Sequence, residues 1–208
     1  MDKKYWNRFY REDEVTIESS DFSKFCANYY TKECGCIIDL GCGNGRDTFF
    51  FLRQNIDSIG IDQSEIVIKE NNKKSSKIEL DSPFVIGDFS NIDFDSICDG
   101  PHSVYSRFTL HAINYDEEEK LFKHLLSSKN LKYLFIEVRS IKDSKYGQGR
   151  KVGLHEFSTS HYRRFIDSEV LHAKLKENFE IIYFKESQGF AKTKKEDPWL
   201  IRIIAKRL

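Results

Sequence analysis

The chain has no net charge, because its 208 residues carry 33 Lys and Arg against 33 Asp and Glu. A balanced chain sets up no global field towards nucleic acid or an anionic membrane, so any preference for anions has to be local. No apolar run approaches the length of a bilayer-spanning helix, and the Met-Asp-Lys-Lys start lacks the apolar stretch of a secretory signal. The expectation is a cytoplasmic protein without membrane or nucleic-acid partners. Cys26, Cys34, Cys36, Cys42 and Cys98 are odd in number and make no two C-x-x-C pairs at zinc spacing, so reduced thiols and no metal site are expected. Internal repeats and low-complexity linkers are also missing. The length suffices for one sizeable core and barely for two, which gives a single domain over residues 1–208, as a monomer or a homodimer.

What the chain does have is a cluster of glycines in one short stretch. Residues 37 to 48, Ile-Ile-Asp39-Leu-Gly41-Cys42-Gly43-Asn44-Gly45-Arg46-Asp47-Thr48, run a β-branched pair into an acid and then into three glycines at alternating positions. Glycine tolerates positive φ and lets backbone approach a ligand closely, so the pattern is a strand feeding a loop built to hold a small molecule. Its G-x-G-x-G spacing differs from the G-x-G-x-x-G of dinucleotide sites. Asp39, two residues before the first glycine, would oppose a pyrophosphate and favour a cation. Two further strand ends carry acids. Ile59-Gly60-Ile61-Asp62-Gln63-Ser64 puts Asp62 where a carboxylate can accept both hydroxyls of a ribose, and Phe84-Val85-Ile86-Gly87-Asp88-Phe89 repeats the pattern.

This constellation resembles motif I and the strand-end acids of class I S-adenosylmethionine-dependent methyltransferases. The resemblance implies S-adenosyl-L-methionine as cofactor and S-adenosyl-L-homocysteine as product, with Asp88 receiving the adenine amino group and Phe89 packing on the ring. The cofactor-binding candidates are Asp39, Gly41, Cys42, Gly43, Asn44, Gly45 and Arg46 in the loop, then Asp62, Gln63 and Ser64. Gly87, Asp88 and Phe89 follow, with Ser106, Arg107 and Phe108 after strand four. In several small-molecule relatives an aromatic opening folds over the pocket. Tyr5-Trp6-Asn7-Arg8-Phe9-Tyr10 is such an opening, which adds Tyr5 and Trp6 and makes residues 1–32 a helical lid. Core packing is the competing explanation for Tyr5, Trp6 and Tyr10.

Periodicity orders the rest. Asp21 is expected to cap a helix bearing Phe22, Phe25 and Tyr29 on one face. Strands are expected at about 36–40, 56–61, 83–87, 102–107 and 133–138, with helices at about 45–55, 64–74 and 116–128 between them. The first of these helices would present Phe49, Phe50 and Leu52 to the sheet. A loop and further helices lead to closing strands at 179–185 and 200–206. Alternating strands and helices closed by two consecutive strands make an α/β, Rossmann-like, seven-stranded, mostly parallel sheet with an antiparallel C-terminal edge hairpin. In the family it resembles, the seventh strand inserts between the fifth and sixth.

The acceptor should sit beyond the carboxyl ends of strands four and five. Strand four continues into Ser106-Arg107-Phe108-Thr109-Leu110-His111, which lacks the Asn-Pro-Pro-Tyr or Asp-Pro-Pro segment of many methyltransferases acting on amides or bases. That weighs against a DNA base or a protein glutamine. Residues 139–166 form a substrate-side insertion with Arg139, Tyr146, His155, His161, Arg163 and Arg164. Guanidinium groups bind phosphate or carboxylate in a fork, so Arg139, Tyr146, His161, Arg163 and Arg164 are substrate-binding candidates and the acceptor is expected to be anionic. Catalytic candidates are His111 and His155 as bases near neutral pH, and Arg107. The compact chain and the Tyr-Trp opening resemble small-molecule methyltransferases, including those that decorate surface-polysaccharide precursors in the capsule. O-methylation of a phosphate- or phosphoramidate-like acceptor is the resulting expectation. An NAD-dependent oxidoreductase, a non-catalytic SAM-fold binding protein and a nucleic-acid methyltransferase are the alternatives.

Overall fold

A computed structural model describes residues 3–12, 16–81 and 83–208. Two helices open the chain, α1 (Lys3–Glu12) and α2 (Asp21–Ala27). Strand and helix then alternate through β1 (Cys36–Leu40), α3 (Arg46–Arg53), β2 (Ser58–Asp62), α4 (Glu65–Ser76), β3 (Phe84–Ile86), β4 (His102–Arg107), α5 (Tyr115–Ser127) and β5 (Leu131–Arg139). Three short strands follow, β6 (Arg150–Gly153), β7 (Glu156–Ser158) and β8 (Tyr162–Arg164), before α6 (Ser168–Lys176), β9 (Phe179–Ser187) and β10 (Leu200–Arg207).

Side-chain oxygens start the helices. Ser64 caps α4, Asp167 caps α6, and Asn114 with Glu117 forms a reciprocal capping box on α5. The cap of α2 is Ser20, whose hydroxyl accepts from the Ser23 N–H at 3.0 Å. Asp21, expected as that cap, lies one residue later in the first turn, where its charge still suits the helix dipole.

The main sheet has the order β3-β2-β1-β4-β5-β10-β9. β1 to β5 pair in parallel, whereas β10 runs antiparallel to both β5 and β9. The last strand is therefore inserted between the fifth and the next-to-last, as the resemblance implied. Alternation along β1 sends Ile38 and Leu40 to one face and Ile37 to the other. The first face packs on Leu121 and Leu125 of α5 and Leu171 and Leu175 of α6, the second on Phe22 and Cys26 of α2 and Phe51 of α3. Phe51 takes the inward place expected of Leu52, because position 51 of α3 is the one fully turned onto the sheet.

The insertion differs from the expected loop and helices. β6, β7 and β8 form a small antiparallel sheet. β6 is exposed along most of its length, so the sequence there carries no alternating apolar signal. Tyr162 and Arg164 dock this sheet on the 110–113 turn: the Tyr162 hydroxyl donates to the Ile113 carbonyl at 3.4 Å, and Arg164 to the Ile113 and Leu110 carbonyls at 3.1 and 3.2 Å. Among the described residues, no helix is long and apolar enough to cross a membrane. No group of three or more His, Cys, Asp or Glu could hold a metal ion there either.

Candidate active site

Strand order reverses between β1 and β4, and in open α/β sheets the ligand crevice lies beyond the carboxyl ends at such a switch. A cavity of about 560 Å³ opens there. Its floor is the loop after β1. Gly41 and Gly43 have φ of +62° and +53°, the left-handed region that side chains avoid. A Cβ on Gly43 would also stand 2.2 Å from the Tyr10 hydroxyl, so only glycine lets α1 press onto the loop. Hydrogen bonds from neighbouring elements fix the loop. The Gly43 N–H donates to Asp62 at 3.0 Å, Asn71 donates to the Gly43 carbonyl at 2.8 Å, and Asn44 donates to the Thr16 carbonyl at 2.8 Å.

Asp39, Asp47 and Asp62 all border the cavity and all are buried. Burial pushes the Asp39 carboxyl well above the usual carboxylate range; Asp47 and Asp62 add to this, and the Thr48 hydroxyl, donating at 2.7 Å, partly offsets it. Asp62 is also raised by burial, against the N–H groups of Ser64 and Gly43 that favour its charged form. A cation beside these buried carboxyls would favour their charged form, so the wall suits a cationic ligand. Asp47 had no part in the sequence reading as a site residue. It accepts the Ser20 N–H at 2.7 Å and the Ser20, Tyr105 and Ser23 hydroxyls at 2.8, 2.8 and 3.0 Å, tying α2 and β4 to the start of α3. Its position in the first turn of a helix was visible in the sequence; its partners were not.

Most cofactor candidates meet here. Gly41, Cys42, Gly43, Asn44 and Arg46 from the loop line the cavity with Asp39. So do Asp62, Gln63, Phe89, Arg107, Phe108 and Trp6. The buried amide nitrogen of Gln63 has no hydrogen-bond partner, a donor left over for something in the cavity. Others stand behind the wall. Gly45 lies against the Phe84 ring, Gly87 against Ile61, and Ser64 donates to Asn7 at 2.6 Å. Asp88 is exposed, with one oxygen held by Ser90 at 2.7 and 3.0 Å. Ser106 shares a hydrogen bond with Thr109, and Tyr5 stacks on His161 with ring centroids 4.6 Å apart.

The opposite wall is cationic. Arg107 donates to Glu137 at 2.9 Å and lies over the Phe108 ring, 4.2 Å from its centroid. Phe108 itself has φ +61°, strained for a non-glycine residue, which turns its ring into the cavity. Glu137 is fully buried and also receives Arg202 at 2.5 Å, so one carboxylate serves two arginines across β4, β5 and β10. His111 lines the cavity, and its Nδ1 is buried without a hydrogen-bond partner. Burial first, and then Arg139, Arg163, His161 and Arg107, hold its imidazole well below the usual histidine range. It is neutral at physiological pH.

The other acceptor candidates separate. Arg139 is spent on Asp143 at 2.9 Å and Glu196 at 2.7 Å. Arg164 is spent on Glu118 and the two carbonyls that dock the small sheet. His155 and Tyr146 bond each other at 2.8 Å, and neither borders the cavity. Tyr146 packs against Phe157 and Phe165, which makes it part of the small sheet's own core. Arg163 and His161 lie under α1, with Arg163 donating to His161 Nε2 at 2.8 Å. Sequence reasoning missed the loop between β9 and β10, whose Ala191, Thr193, Glu196 and Pro198 close the far side. It also missed Phe9 and Thr16 as lining residues, whereas Tyr10, a lid candidate, does line the cavity. Nothing local in the sequence marks the loop between β9 and β10, which is folded back over β5 by Arg139 and Lys145, both paired with Glu196.

Residues 37–128 match the methyltransferase-domain family. A curated relative, the carboxy-S-adenosyl-L-methionine synthase of Nautilia profundicola, is 27% identical over 161 residues, covering 70% of this chain and 66% of the relative, or just under two thirds of its length. Among solved structures, a SAM-dependent methyltransferase from Methanosarcina mazei superposes with a TM-score of 0.72 at 19% identity, covering 88% of this chain and 97% of that one. The glycopeptide N-methyltransferase MtfA, solved with S-adenosyl-L-methionine, gives 0.62 at 14% identity, covering 92% and 97%. At these identities the structural likenesses establish the fold. Joined to the inserted antiparallel strand, they give the chain the class I methyltransferase fold, within which residues 37–128 match the methyltransferase-domain family, with S-adenosylmethionine as the cofactor.

Proposed function

We propose that this chain transfers a methyl group from S-adenosyl-L-methionine to the oxygen of a small anionic acceptor bearing a phosphate- or phosphoramidate-like group. One observation carries the reading: a single cavity has buried carboxylates on one wall and Arg107 with a neutral histidine on the other. A sulfonium nucleoside and an anion side by side match that polarity. When bound, S-adenosylmethionine supplies a methyl carbon activated by the sulfonium. The rest falls to the chain. Asp62 would hold the ribose hydroxyls, Asp39 would face the cationic end, Gln63 would offer its spare N–H groups, and Phe89 would pack on the adenine. Trp6 and Tyr10 of α1 exclude water. His111 would take the acceptor's proton, and Arg107 would orient its anion.

The compact chain and the aromatic cap support placing the reaction in the modification of surface-polysaccharide precursors. A methyl-transfer panel of phosphorylated, carboxylated and neutral acceptors tests the reading. Preference for phosphorylated acceptors supports it; preference for neutral ones rejects it. A second reading puts the anion on the cofactor, since the Nautilia relative is named for making carboxy-S-adenosyl-L-methionine. Mass spectrometry of the cofactor after turnover separates the two, because only the second adds a carboxyl group to it.

A further inference from the structure

Four arginines lie on the elements around the acceptor end of the cavity, where Arg107 alone of the four lines it, and their partners set one apart. Arg107 is held by Glu137, Arg139 by Asp143 and Glu196, and Arg164 by Glu118. Arg163 makes no carboxylate ion pair among the described residues. Its one side-chain hydrogen bond goes to His161 Nε2, and its buried Nε has no partner. An orphaned guanidinium N–H away from water is costly, and so is an orphaned imidazole nitrogen. His111 Nδ1 is the second such atom in this region.

The two atoms belong to elements packed against each other, β8 and the 110–113 turn. On one face of β8, Tyr162 and Arg164 clamp the strand to the 110–113 turn that carries His111. Alternation turns Arg163 to the other face, among His161, Arg139, Asp143 and Glu196. Glu196 and His111 both border the cavity, and so does Trp6, whose ring lies 6.3 Å from His161. Arg139 and Arg163 are also the charges that act most strongly on His111.

Resting on the methyltransferase reading above, we propose that Arg163 anchors the acceptor's oxyanion, with His111 Nδ1 as the neighbouring polar contact, and so determines specificity for anionic acceptors. A phosphate or carboxylate would receive the Nε–H and a terminal N–H in a fork. The same anion would offset the cations that keep His111 neutral, so the base would gain strength only when an anionic acceptor is in place. Because His161 is stacked on Tyr5 and bonded to Arg163, the occupied subsite would also be continuous with the α1 cap.

The test is calorimetry on the full chain saturated with S-adenosylhomocysteine, titrated with inorganic phosphate and, separately, with acetate. Wild type is expected to bind one of the two, which identifies the oxyanion. Arg163→Gln should weaken that binding at least tenfold while its affinity for S-adenosylhomocysteine stays unchanged. Arg163→Lys should lose less, and Arg150→Gln, at an exposed position on β6, should lose nothing. If Arg163→Gln fails to fold, Arg163→Lys carries the test, with a threefold or greater loss expected. Equal binding by wild type and the Arg163 variants overturns the proposal, as does an equal loss in Arg150→Gln. Heat from S-adenosylhomocysteine but none from either anion overturns it too, and leaves the cofactor reading standing. No heat from S-adenosylhomocysteine in wild type removes the methyltransferase reading on which it rests.

Discussion

The two walls of the cavity are built in opposite ways. The carboxylate wall comes from β1, β2 and the loop between β1 and α3, with its residues close in sequence and locked by local hydrogen bonds such as Gly43 to Asp62. The opposite wall comes from the end of β4, the 110–113 turn and the loop between β9 and β10, held by ion pairs to residues far off in sequence. The first wall is a fixed platform for a ligand common to a whole family. The second is where a particular acceptor would be chosen, and few of its residues follow from any short motif.

That contrast can be broken at His111, where the largest effect is expected. His111→Gln should lower kcat by about 10²- to 10⁴-fold, the range for losing a general base, with S-adenosylmethionine affinity unchanged. An unchanged kcat in steady-state methyl transfer would mean that no proton is removed there. Asp62→Ala strikes the other wall. It removes a buried carboxylate that two N–H groups need and that the proposed cofactor pose gives to the ribose, so calorimetry should show cofactor affinity reduced by about 100-fold with helix content intact by circular dichroism.

Asp39→Asn sharpens the comparison by separating stability from binding. The folded-state pKa of Asp39 lies above its unfolded value, so its contribution to stability is present at low pH and lost as pH rises through the folded pKa. The variant should be about 1 kcal/mol more stable than wild type without ligand, by urea unfolding at neutral pH, and should bind S-adenosylmethionine more weakly. Lower stability would mean that the carboxylate is not strained. The smallest effect concerns pH. The folded-state pKa of His111 lies below the unfolded value near 6.5, so its contribution is present above that pH and lost as pH falls towards the folded pKa. Thermal midpoints should fall on acidification below 6.5 in wild type, and His111→Asn should flatten the slope.

The same contrast explains what could be read from the amino acids alone. Strands β1 and β4 fall at the expected bounds, β1 because a fully buried parallel strand reads as a nearly continuous apolar run that ends in a distinctive turn. Asp39, Asp62 and Phe89 reach the cavity for the same reason, each at the end of such a run. His155 and Arg164 were equally plausible acceptor residues by composition, yet one bonds Tyr146 outside the cavity and the other docks the small sheet. Nothing local distinguishes Arg163 from Arg164. Adjacent positions on a strand face opposite ways, and only the packing of β8 on the 110–113 turn decides which faces the protein's own carbonyls.

The amino-acid sequence by itself determined the α/β alternation, the glycine loop and its acids, because periodicity and backbone permissiveness act over a few residues. Tertiary structure alone decided the cationic wall: which arginines are neutralised, which histidine is buried, and which loop closes the far side. Charge pairing and burial depend on groups that the chain brings together from distant positions, such as Arg139 with Glu196 and Arg164 with Glu118.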